Sequence, residues 1–103
     1  MSGGDWKDFF GAACRGDLEL VRFHAERGVD LDHQHPEYQE SALVAAILAR
    51  QERVADLLLD LGADPFLVSV ADELTPVEAA RRVGMTALEH RLAEATRSGA
   101  TPA

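Results

Sequence analysis

His33 and His35 stand one residue apart, with Asp32 and Glu37 close by. A His-x-His pair in an extended segment turns both imidazoles to one side, and imidazoles with a carboxylate are ligands for a divalent cation. A third ligand of fixed geometry is missing from the pattern, so the plainer reading is a polar loop tip and no metal is expected. The same imidazoles among carboxylates would titrate above their unperturbed value. Cys14 is the only cysteine, which excludes an internal disulfide and a cysteine-rich metal site. Only Arg15 beside it could favour a thiolate, so Cys14 is read as a small, partly buried filler. None of the serines lies in a Gly-x-Ser-x-Gly turn, and no glycine loop is built to cradle phosphate. Carboxylates are plentiful, yet no pair is singled out by an apolar setting that would raise a pKa. The expectation is therefore no catalytic residue, no cofactor and no enzyme.

Recognition is the other chemistry a charged surface can perform. The chain of 103 residues has a formal net charge of −8. That balance argues against nucleic acid or an anionic membrane as partner, because binding phosphates takes clustered Lys and Arg. It favours a protein with a basic surface. The carboxylates are not evenly spread. Asp30, Asp32, Glu37 and Glu40 fall in one stretch, and Asp64, Asp72 and Glu73 in another, with no Lys or Arg in either. Elsewhere the signs alternate, as in Glu19, Arg22, Glu26 and Arg27. A solvated loop explains such runs by default, and a recognition surface explains their segregation.

The elements that must position these groups are helices. Hydrophobic residues make up 47% of the chain and aromatics only 6%, which predicts one modest core of Leu, Val and Ala in close-packed helices. Val54, Leu57, Leu58 and Leu61 recur at the spacing of one helical face. Gly62 then supplies a left-handed stop, and Pro65 blocks continuation. The same pattern stands 34 residues earlier, where Leu20, Val21, Phe23 and Gly28 precede Val54, Ala55, Leu57 and Gly62. Upstream, Ala12-Ala13 matches Ala46-Ile47, and a third copy starts at Thr75, 34 residues after Ser41. A fixed period of roughly 20–50 residues marks stacked units that cannot bury their apolar faces alone. Helices are predicted near 6–15, 17–27, 41–49, 51–61, 75–83 and 85–96, with projecting fingers over 29–40 and 63–74. Residues 98–103 are expected to form a disordered tail.

The unit resembles the ankyrin repeat. The third copy carries the front half of that pattern in Thr75, Pro76, Val77, Ala80 and Gly84. The second carries the back half in Leu57, Leu58, Leu59, Gly62, Ala63 and Asp64, and the first has Ala12, Ala13, Gly16, Asp17, Leu18, Glu19, Val21, Gly28 and Asp30. The fold this implies is an all-α, ankyrin-like helical solenoid of three helix-turn-helix repeats, over about 7–40, 41–74 and 75–97, in a single domain spanning 1–97. Arg50 departs from the pattern by standing where an inter-helix Gly is wanted, so its turn must avoid positive φ or carry strain of about 1 kcal/mol.

Ankyrin-like proteins bind other proteins through finger tips and the groove lined by the first helices. Carried over position by position, the resemblance makes Tyr38, Glu40, Leu48, Ala49, Asp72, Glu73 and Arg82 the binding candidates, with Cys14 and Arg15 from the first repeat. Tyr38 is the best anchor, as an amphipathic aromatic on a tip. Phe9 and Phe10 are read as core and Trp6 as the seal of the exposed end of the stack. Phe66 to Val70 either folds back on the third repeat or offers a β-prone edge. The leading expectation is a small adaptor or inhibitor, monomeric when free, that occupies a partner's basic surface. A toxin-neutralising immunity protein is one concrete version, since a chain of this size offers no second domain for scaffolding. The competing class is a self-assembling repeat protein joined through Phe66–Val70. No apolar run reaches the roughly 18 residues of a membrane span, no basic stretch leads into an apolar one as in a secretory signal, and the lone cysteine fits a reducing compartment, so a cytoplasmic protein is expected.

Overall fold

The computed structural model describes residues 2–97, with side chains from Asp5 to Ala95. Among the described residues six helices form three hairpins: α1 (Ser2–Arg15) with α2 (Leu18–Glu26), α3 (Ala42–Leu48) with α4 (Glu52–Asp60), and α5 (Pro76–Val83) with α6 (Thr86–Arg97). Among the described residues there is no β-strand, only an isolated antiparallel bridge between Ser69 and Leu74. The fold is all-α, as the sequence predicts. α1 touches α3 and α3 touches α5, while α2 packs on α4. Helix ends fall within a residue or so of expectation except at the start. α1 begins at Ser2 rather than near residue 6, running through a Gly3-Gly4 pair that reads as a poor helix former. The predicted tail 98–103 lies outside the described residues.

Three of the helix starts are capped by side chains. Asp17 accepts from the Leu20 N–H at 3.1 Å and Ser41 from the Val44 N–H at 3.0 Å. Thr75 and Glu78 complete a reciprocal capping box, with Pro76 in the first turn. The ends close on left-handed residues. Gly16, Arg50 and Gly84 have φ of 85°, 64° and 77°. The next N–H in each case reaches back to an alanine carbonyl: Asp17 to Ala12 at 2.9 Å, Gln51 to Ala46 at 2.8 Å and Met85 to Ala80 at 2.9 Å. Arg50 therefore takes the strained option. Its backbone follows the register of the two glycines, and its guanidinium donates to the Val83 carbonyl of the next hairpin at 3.2 Å.

Packing follows from the same register. Ala12, Ala46 and Ala80 are fully buried and let α1, α3 and α5 approach closely. α3 lies between its two neighbours, and every residue from Ala42 to Ile47 is buried. Leu58 and Leu92 fill equivalent positions of the second helices, where α2 places His24. Across the outer layer Arg91 of α6 reaches Asp56 at 3.0 Å and Asp60 at 2.8 Å on α4.

Candidate functional site

The two loops 29–40 and 63–74 lie beside each other and are joined by hydrogen bonds. Asp30 and Asp64 each fold the backbone into a side-chain turn, accepting from Asp32 N–H at 3.0 Å and Phe66 N–H at 2.8 Å. Asp32 then accepts from the Asp64 N–H at 2.9 Å, linking one turn to the next. Gln34 bridges the loops further out. Its amide N–H donates to the Val68 carbonyl at 2.8 Å, and its oxygen accepts from the Val70 N–H at 2.9 Å. At the base the Ala71 N–H donates to the Gln39 carbonyl at 2.7 Å. The backbone edge of residues 68–70 is thus occupied by a side chain of the same molecule. Phe66 and Leu67 are half-buried, while Val68 and Val70 stay 47% and 56% exposed.

Loop 29–40 is anchored to α1 by rings. Trp6 is only 2% exposed and stacks on Phe10 at 4.9 Å and His35 at 5.5 Å, with His33 and Tyr38 each at 5.6 Å. The expectation that Trp6 seals an end of the stack gives way to this arrangement, in which it is the hub of a cluster that holds the loop down. Its indole N–H is buried without an acceptor. His33 and His35 contribute packing: their rings lie edge to face at 6.2 Å, and the His35 Nδ1 accepts from the Glu37 N–H at 3.1 Å. The Glu37 carboxylate approaches the same atom at 4.0 Å. Among the described residues no three His, Cys, Asp or Glu side chains are grouped to hold a metal.

Charge in the loops is partly compensated. Lys7 of α1 meets Glu37 at 2.9 Å, and the pairing holds the Glu37 carboxyl below its ordinary range. Burial first, then the neighbouring Asp72, pushes the Glu40 carboxyl up to about 7. Asp72 accepts from the Ser69 hydroxyl at 2.8 Å, and the Ser69 oxygen accepts from the Ser41 N–H at 2.9 Å. Ser69 is fully buried, so its single proton is committed to Asp72. The Glu40–Asp72 pair escapes a reading along the chain because its members lie in different loops, each among other carboxylates. The 34-residue register is the one signal for it, because it brings the base of one loop against the base of the next. Burial also raises Asp32, whose carboxylate sits beneath the second turn.

Tyr38, Glu40 and Cys14, three of the residues predicted for binding, line one open groove of about 430 Å³ with Lys7, Phe10 and Gly11. Tyr38 presents 40% of its surface and rests on Phe10 at 5.3 Å. Desolvation, then the Glu40 charge, push the Cys14 thiol up, which disfavours the nucleophilic thiolate. Asp72 joins the groove's edge through Glu40, and Glu73 follows it, exposed, at a left-handed φ of 56°. Leu48 is half-buried against the core, and Ala49 is exposed as the cap of α3. Arg15 and Arg82 are exposed in the last turns of α1 and α5. None of these four takes part in the Glu40–Asp72 contact. No helix among the described residues is long and apolar enough to cross a membrane.

Neither the family models nor the curated proteins compared with this chain give a match.

Proposed function

We propose that the chain is an ankyrin-like stack of three helical hairpins that binds another protein through the groove beside α1 and the paired loops above it. The partner face is basic, and the protein acts as a small adaptor or inhibitor without enzymatic activity. The observation that carries this reading is the convergence of Tyr38, Glu40 and Cys14 on one open groove. A part-exposed aromatic beside carboxylates, already approached by the Lys7 ammonium at 6.0 Å from its ring centre, is the kind of surface that takes a cationic side chain and its aliphatic stem. The charge excess of −8 steers such a partner at long range. Lys7 pairs with Glu37 and the Glu40 carboxyl is pushed up to about 7, so the attraction rests on fewer carboxylates than the loops contain.

Self-assembly through Phe66–Val70 is the weaker reading, because Gln34 already occupies the Val68 and Val70 backbone groups that an added strand would need. The test is capture of a partner on the immobilised protein at low and high salt, with Tyr38→Ala and Glu73→Ala as variants. The reading expects a basic protein that high salt releases and that both variants bind less well at unchanged helicity. Retention of acidic proteins indifferent to salt, or unchanged binding by both variants, overturns it.

A further inference from the structure

The second helices of the three hairpins place one residue each at the same register: Phe23 on α2, Leu57 on α4 and Arg91 on α6, at intervals of 34. On the last two hairpins that position looks back at the hairpin before it. Arg91 reaches Asp56 and Asp60 of α4 at 3.0 and 2.8 Å, and Leu57 is buried where α4 packs on α2. Phe23 has the same outlook, but among the described residues no outer helix precedes α2 to cover it, and 49% of it is exposed. Leu20, one turn earlier, is half-buried beside it. Glu19 and Arg27 stand four residues to either side of Phe23, exposed on the same helix face. The Arg27 guanidinium lies 5.2 Å from the centre of the Phe23 ring. Asp17, Glu19, Leu20 and Phe23 line an open hollow of about 410 Å³ at the start of the helix. In a chain of net charge −8 this segment is close to neutral, with Asp17, Glu19 and Glu26 set against Arg22 and Arg27.

We propose that this face of α2 binds the same face of a second copy of the chain, in an antiparallel two-fold contact centred on Phe23. The placement of charge selects both the occupant and the direction. Turned about a two-fold axis at Phe23, position 19 of one copy comes level with position 27 of the other, so Glu19 meets Arg27 on each side of the axis. A parallel alignment sets Glu19 against Glu19 and Arg27 against Arg27, which repel. The hollow beside Phe23 then receives the guanidinium of the other copy, with the Asp17 and Glu19 carboxylates around it. Phe23 supplies the apolar centre, where the two rings cover each other. The basic partner proposed for the groove beside α1 does not suit this face, because Arg27 stands over the ring. One helix face makes a small interface, so the dimer is weak and exchanges with the monomer as concentration changes. The contact shares no residue with the groove and does not depend on what the groove binds. It replaces the sequence expectation of a chain that stays monomeric when free.

Sedimentation equilibrium of the full chain, at protein concentrations from about 5 µM to about 500 µM, reads the contact as a mass. The expected result is a mass that rises from one chain toward two. Phe23→Ser should weaken the association by about tenfold or more at unchanged helical circular dichroism. Glu19→Arg alone sets cations on both sides of the axis, and Arg27→Glu alone sets carboxylates there, so each variant by itself should stay a monomer. Mixed in equal amounts, the two variants should pair with each other, because the charges of one then complement those of the other. That rescue separates a lost contact from a damaged helix. A single-chain mass at every concentration overturns the proposal. So does a dimer that Phe23→Ser and both charge reversals leave intact, which places self-association elsewhere on the molecule. Failure of the mixed variants to pair overturns it as well.

Discussion

Arg50 is the residue where local preference and the surrounding architecture disagree. At φ 64° it occupies the turn position that Gly16 and Gly84 fill elsewhere. An L-residue with a Cβ in that conformation costs about 1 kcal/mol relative to glycine, offset in part by the 3.2 Å bond to the Val83 carbonyl. Arg50→Gly should therefore stabilise the protein by up to about 1 kcal/mol, while Arg50→Ala, which keeps the strain and loses the bond, should be neutral or mildly destabilising. Urea midpoints of the two variants at constant slope check this. The equivalent substitution in the other direction behaves differently. At Gly16 a Cβ would stand 2.5 Å from the Gln51 side-chain oxygen, so strain and a clash arise together there.

At the scale of elements, the helices could be read along the chain because their signals are local. Asp17, Ser41 and Thr75 start helices at the places where their hydroxyl or carboxylate can cap. Glycines follow α1, α2, α4 and α5, and the buried alanines follow from the shared period. The loops could not be read in this way. The Lys7–Glu37 pair, the rings around Trp6 and the Glu40–Asp72 contact each join segments whose approach depends on the path of an irregular loop. Along the chain the carboxylates of 29–40 read as one acidic group, whereas in the fold Asp30 shapes a turn, Glu37 meets a lysine and Glu40 is pushed up to about 7 by burial and Asp72. Gln34 carries no signal in the sequence at all, yet it satisfies two backbone groups of the second loop. Gln34→Ala should loosen residues 68–70 with little effect on the helices, each lost exposed bond being worth about 1 kcal/mol or less. Faster amide exchange at Val70 with an unchanged helical circular-dichroism signal is the expected outcome.

For the whole molecule, pH dependence sums several carboxyls of opposite sense. Glu40 and Asp32 are raised, so each favours the native state most at low pH and its contribution is lost as pH climbs from the unfolded value through the folded one. Glu37 and Glu78 are lowered, and their contributions are lost as pH falls below the ordinary carboxylate range. The molecule should therefore be most stable on the acid side of neutrality, and repulsion among its excess carboxylates deepens the decline above pH 7. Thermal unfolding should give a higher Tm near pH 5.5 than near pH 8, with the difference reduced in Glu40→Gln.

The burial of α3 along nearly its whole length has a consequence for how the protein comes apart. A helix of seven residues, all but the last enclosed, has no solvent face to fall back on if either neighbour leaves. Unravelling must start from the outer hairpins and work inward, and the departure of either one strands the centre. Wear at a terminus is in this way converted into collapse of the whole, so such a chain would be cleared by proteases as a unit rather than trimmed to a persistent fragment.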